Sequence, residues 1–204
     1  MKIYEPATLI TDLLLAALAG WLAWRLRAKT NAENRAARWM ALTLAFTAAS
    51  GVIGGTSHGF VPNFSAVIGD AWWRATLLAI NLLSAAMAMS LVCELASPPR
   101  QPAWRVGVGV KFLGLATAAM LHPKFFVAIA DYGSALAAWL VDALVVRRAW
   151  RGAMLTGITL SVIAAMVQQF HWAPAAWFNH NDLYHVIQGA ALVAFYRAGT
   201  KFGR

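Results

Sequence analysis

Charge is what this chain has least of. Of its 204 residues only 12% are charged and eight are acidic, so it lacks the solvated surface of an ordinary water-soluble domain. A single cysteine, Cys93, leaves no disulfide framework and is expected to serve packing. No internal repeat is visible, which disfavours a small transporter built on inverted halves with broken midplane helices. The last apolar segment holds no lysine before Lys201, so it cannot form the Schiff base of a retinal protein. Haem held between facing histidines would need them deeper in the membrane than these lie.

What is present is apolar. Hydrophobic residues make up 60% and the mean hydropathy is +0.59. Taking ~20 residues per crossing, the apolar windows predict seven spans: 7–24, 39–58, 71–93, 104–121, 125–146, 153–171 and 181–198. The expected fold is a single all-α integral membrane domain over 1–204, a seven-helix bundle with short connecting loops.

The formal charge of +9 does not indicate nucleic acid. Thirteen of the seventeen basic residues fall at one set of segment ends. Arg25, Arg27, Lys29, Arg35 and Arg38 follow the first segment, Arg100 and Arg105 the third, and Arg147, Arg148 and Arg151 the fifth. Arg197, Lys201 and Arg204 close the chain. Lys2, Arg74 and Lys124 fall at the other ends, and Lys111 lies within segment 4. The excess of Lys and Arg on cytoplasmic loops predicts the N-terminus outside and the C-terminus in the cytoplasm, and membrane lipids as the partners. The expected location is a bacterial inner (plasma) membrane. The first segment, despite a small-residue Ala17-Leu18-Ala19 stretch, is expected to be retained: its leader is poorly basic and Asp12 interrupts the apolar run. The sequence leaves a homo-oligomer open.

This topology gives every polar residue a depth. All five histidines (His58, His122, His171, His180, His185) fall at outer segment ends, as do Glu5, Asp12, Asp70, Asp131 and Asp182. An ionisable group within a span is rare unless it faces a bundle interior, a partner or water. The polar cluster therefore predicts a cavity opening to the outside, centred on Phe178–Gln188, FNHNDLYHVIQ. Glu5 and Asp12, seven apart, share a helix face. Asp70, Arg74, Leu77, Asn81 and Ser84 fall on one face of segment 3, which must point inward; Asp70 alone could equally be a helix cap. Lys111 and Asp142 are expected to form a structural ion pair between neighbouring helices, or Lys111 to snorkel. Trp72, Trp73, Trp172 and Trp177 suit an outer aromatic belt, with Trp39, Trp104, Trp139 and Trp150 as further interface or lipid-facing positions.

Imidazole with carboxylate is the ligand set of zinc and other divalent first-row metals. At about 100° per residue, His180 and His185 stand about 140° apart on a helix, whereas Asn181 and Asp182 lie about 40° and 60° from His185. His180 and His185 can share a metal only if the helix starts after His180. Asp182 could instead cap the helix, and His180 could be an exposed loop residue.

A histidine ending helix 2, an aspartate about a dozen residues later opening helix 3 and a histidine-bearing start of helix 7 together resemble the CREST superfamily. That group comprises the alkaline ceramidases, the adiponectin-receptor-like proteins and the Per-type lipid-remodelling proteins. The resemblance implies a zinc-dependent intramembrane hydrolase acting on a lipid amide or ester. It places His58, His185 and either His180 or Asp182 on the metal, with Asp70 orienting or deprotonating the bound water and Arg74 or Asn181 stabilising the oxyanion. The first histidine of the family's helix 7 HxxxH pair is Asn181 here, and its helix 2 serine is Gly54, with Ser57 and Thr56 as the nearby hydroxyls. Asn81 completes the expected pocket. Glu5, Asp12 and Asp131 are a further, calcium-type oxygen set. The competing expectation is a receptor, sensor or metal-binding protein that uses the same pocket without turnover.

Overall fold

A computed structural model describes residues 1–203. Among them are seven long helices and no strand: α1 (Pro6–Lys29), α2 (Arg35–Phe60), α3 (Ala66–Leu95), α4 (Gln101–Leu121), α5 (Phe125–Val145), α6 (Arg151–Gln169) and α7 (His180–Gly199). Short 3₁₀ turns, Val61–Asn63 and Pro98–Arg100, precede α3 and α4. Local sequence sets the starts. Pro6 opens α1, where its missing N–H costs nothing. Asn34 caps α2 by accepting from the Ala37 N–H. Ser65 caps α3 by accepting from Ile68 N–H, which starts that helix five residues before the expected position 71. Asp70 consequently lies a turn inside α3 and is not its cap.

Six helices, α1 to α6, are long and apolar enough to cross a membrane. The seventh is of similar length, but His180, Asn181, Asp182, His185, Gln188 and Arg197 lower its hydropathy. Large apolar side chains face outward around the bundle, among them Leu14, Trp24, Val110, Leu113 and Val145, as a lipid-facing surface requires.

Neighbour packing closes a ring. Helix α1 lies against α2 and α7, α2 against α3, α3 against α5, α5 against α6, and α6 against α7. Helix α4 stands outside that ring on α3 and α5 and buries only Ala116 and Ala119. The tightest seam is α1 on α2. A Cβ on Gly51 would come 3.1 Å from Ala16 Cβ, one on Gly55 2.9 Å from Asp12 Cβ, and one on Gly59 2.9 Å from Leu9 Cδ2. Glycines at i, i+4 and i+8 thus let the two backbones close up.

The half of the bundle that holds the C-terminal end is filled by aromatic and aliphatic side chains. Trp139 and Trp150, expected at an interface or in lipid, are fully buried. Phe202 stacks on Trp139 at 5.2 Å, and Trp150 meets Trp139 edge-on at 5.2 Å. The carboxylate of Glu94 accepts from Trp150 Nε1 at 2.9 Å and from the Gly203 N–H at 3.0 Å. These contacts fix the C-terminal end to α3, α5 and α6. They explain the difference from expectation: an indole N–H that finds an acceptor can be buried.

Candidate functional site: a cavity at one end of the bundle

The polar groups of α1, α2 and α7 converge because their helices adjoin. Helix α7 begins with a capping box: Asn179 accepts from the N–H groups of Asn181 and Asp182, and Asp182 Oδ2 accepts from the Asn179 N–H at 2.7 Å. The other oxygen, Oδ1, accepts from Thr8 Oγ1 of α1 at 2.8 Å. Asp182 is fully buried and fully partnered. It fixes the start of α7 and docks it on α1.

One turn further, His185 has both ring nitrogens engaged. Nε2 lies 3.2 Å from Asp12 Oδ1 and Nδ1 lies 3.0 Å from Thr11 Oγ1. In the tautomer protonated on Nε2, the ring donates to Asp12 and accepts from Thr11. Asp12 is 5% exposed, and its second oxygen, Oδ2, is buried without any hydrogen-bond partner. Glycines make room for this carboxylate. A Cβ on Gly54 would sit 3.7 and 3.8 Å from its two oxygens. At the mouth, His58 Nδ1 lies 3.2 Å from Glu5 Oε2.

These groups line a cavity of about 250 Å³ in the half of the bundle where α1 and α7 begin. Asp12, His58, His180, Asn181 and His185 give it polar walls, and Trp73, Ile80, Leu83, Phe125, Tyr132 and Tyr184 apolar and aromatic ones. Trp73 is held by donating Nε1–H to Pro123 O at 2.8 Å. Gln168 donates to Asn181 Oδ1 at 3.3 Å, tying α6 to α7. At the first residue of α7, partial burial and the neighbouring His171 ring, 4.6 Å away, hold the His180 imidazole below its ordinary range.

Of the residues nominated from sequence, His58, His180, Asn181, His185 and Asp12 meet at this cavity, with Glu5 beside His58. Others do not. Asp70 is exposed and pairs with Arg74 one turn along at 2.7 Å; neither lines the cavity. Only the deeper part of the α3 face, Leu77, Asn81 and Ser84, is buried. Ser57 is half-buried and outside the lining. Asp131 joins neither Glu5 nor Asp12 in an oxygen site. It lies between α3, α4 and α5, where Asn81 Nδ2 donates to Oδ2 at 2.5 Å, Ser84 Oγ donates to Oδ1 at 2.9 Å and Lys111 Nζ forms an ion pair with Oδ1. Lys111 therefore pairs with Asp131, not Asp142. Thr8 and Thr11 went unrecognised in the sequence, although Glu5, Thr8 and Asp12 form a polar stripe at i, i+3 and i+7.

The donors do not fit the three-ligand zinc site that the resemblance implies. His185 has no free nitrogen and Asp182 no free oxygen. Among the described residues, no group of three or more His, Cys, Asp or Glu side chains could hold a metal ion. Zinc needs three or four such ligands at about 2.0–2.3 Å.

No curated protein and no solved structure matches this chain. Over residues 7–204, nearly its full length, the chain belongs to a family of unknown function (DUF6962).

Proposed function

We propose that this chain is a seven-span integral membrane protein, N-terminus outside, that binds an amphiphilic molecule in its outer-side cavity without turnover. The observation that carries the reading is the cavity itself. It is apolar and aromatic on the α3–α5 side and polar on the α1–α7 side, the lining that a ligand with a tail and a head requires. At ~30 Å³ per water, 250 Å³ accommodates a head group and the start of a chain. The orientation rests on thirteen of seventeen basic residues lying at one set of helix ends. Counting α7 as a span rests on its packing. Asp182, His185 and Gln188 are buried while Val186 faces out, so its polar groups lower the hydropathy without meeting lipid.

The test is mass spectrometry of small molecules carried by the protein purified in mild detergent, comparing wild type with Gly54→Leu. Gly54 lies on the cavity wall clear of the tight α1–α2 contacts, so leucine there fills the cavity and leaves the seam intact. A stoichiometric amphiphile in wild type, lost from the variant, supports the reading. Equal content in both, or none after incubation with a lipid extract, overturns it.

A second reading is hydrolysis of a lipid ester or amide. It is favoured by the order Asp12, His185, Thr11, with gaps of 3.2 and 3.0 Å, the carboxylate–imidazole–hydroxyl order of an activated nucleophile. Thr11 and His185 also line a groove between α1 and α7 with Leu14, Leu18 and Val193. The reading ranks second because α1 is unbroken at Thr11, so the backbone N–H groups beside that hydroxyl are used within the helix and not offered to an oxyanion. Release of nitrophenol from short acyl esters, abolished in Thr11→Ala, would promote it; equal rates in the two proteins would remove it.

A further inference from the structure

The cavity's charge identifies the head group it is built for; this inference rests on the binding reading above. Asp12 sits on the wall with Oδ1 on His185 and Oδ2 buried and unpartnered. A buried carboxylate oxygen with no donor is costly to keep, and on a residue that lines a cavity it is placed to meet a donor that arrives. The protein brings no cation to it. No lysine or arginine is among the residues lining the cavity; Arg74 is occupied by Asp70 and Lys111 by Asp131. The surroundings add negative charge. Asp182 stands behind His185 through Thr11, whose Oγ1 is 3.5 Å from Asp182 Oδ1, and Glu5 lies at the mouth against His58.

Part of the remaining wall is aromatic, with Trp73, Phe125, Tyr132 and Tyr184. Ring faces attract an organic cation and suit an alkyl chain, whereas a divalent metal is usually held by several carboxylates and Asp12 is the one carboxylate among the lining residues. A carboxylate among aromatic rings, with no internal counter-ion, is a receptor for an ammonium group. We propose that the cavity selects an amphiphile with an ammonium head, its charge seated on Asp12 and its chain against the aromatic wall. The same chemistry is offered by a free alkylamine and by an amine-bearing lipid head group.

The experiment uses the full chain in nanodiscs of phosphatidylglycerol, which carries no amine, and titrates octylamine, octanol and octanoate while following tryptophan fluorescence. The expected result is saturable binding of octylamine at least tenfold tighter than octanol, with that preference lost in Asp12→Asn. The wild-type comparison stands by itself if the variant does not fold. Adding phosphatidylethanolamine distinguishes the sources: competition with octylamine assigns the site to the lipid head group, and no competition assigns it to a free amine. Octanol or octanoate binding as well as octylamine overturns the inference and leaves the binding reading standing. No saturable binding of any of the three overturns both.

Discussion

Two buried aspartates, Asp12 on α1 and Asp131 on α5, face opposite fates in one bundle. Both are almost inaccessible, at 5% and 1% exposure. Asp131 is satisfied at every point: Asn81 on one oxygen, Ser84 and Lys111 on the other. Its cluster joins α4, the helix outside the ring, to α3 and α5. Asp12 has His185 on one oxygen and nothing on the other, and the open oxygen belongs to the residue that lines the cavity. A fully partnered buried charge is architecture. A half-partnered one beside a cavity is, on the proposed reading, where a ligand's donor would sit.

The largest expected effect comes from breaking the closed cluster. Lys111→Met leaves the Asp131 carboxylate buried without its counter-ion and should cost about 3 kcal/mol; thermal unfolding in detergent would show it. Removing both charges, Lys111→Met with Asp131→Asn, should restore much of that loss. Next is the seam that seats Asp12. Gly55→Ala places a methyl 2.9 Å from Asp12 Cβ and should cost about 2 kcal/mol by forcing α1 from α2, while octylamine binding weakens with it. Asn179→Ala removes the α7 cap and half of its capping box, worth about 1 kcal/mol; hydrogen exchange should rise in the first turn of α7 and not in the last.

The smallest effect is one of pH. His180 has a folded pKa below the ordinary imidazole value of 6.5, through burial first and then the His171 ring, with Glu5 and Asp182 opposing and His58 adding to the depression. The unfolded chain therefore binds the proton more readily. Stability is complete above about pH 6.5 and falls as the pH drops from there through the folded value. His180→Gln should flatten that part of the stability–pH curve, and an unchanged slope would assign it to another group.

Much of this arrangement was legible in the sequence. The helices lie close to the apolar windows, because both the outward-facing and the packed residues of each span are mostly apolar. The gathering of His58, His180, Asn181, His185 and Asp12 followed from depth alone. Rotation about the helix axis was harder to read. Asp70 and Arg74 share a face with Asn81, but the first turns of α3 are exposed, and residues there need not point at the bundle. The partner of Lys111 was misassigned by estimating depth from span ends. Counting from the turn at Pro123 at 1.5 Å per residue puts Lys111 about 18 Å away, Asp131 about 12 Å and Asp142 about 28 Å, which favours Asp131. The engagement of His185 by Thr11 could not be read, since it depends on how α7 is set against α1.

The most direct measurement compares the melting of Asp12→Asn and Asp131→Asn in the same detergent without ligand. Asparagine keeps the shape at both sites and removes the charge. Asp131→Asn should lower Tm by roughly 6 °C or more, since it strands Lys111, while Asp12→Asn should leave Tm unchanged or raise it, since it removes a buried charge that has no cationic partner. A drop for Asp12→Asn as large as that for Asp131→Asn would make both aspartates architecture and contradict the account.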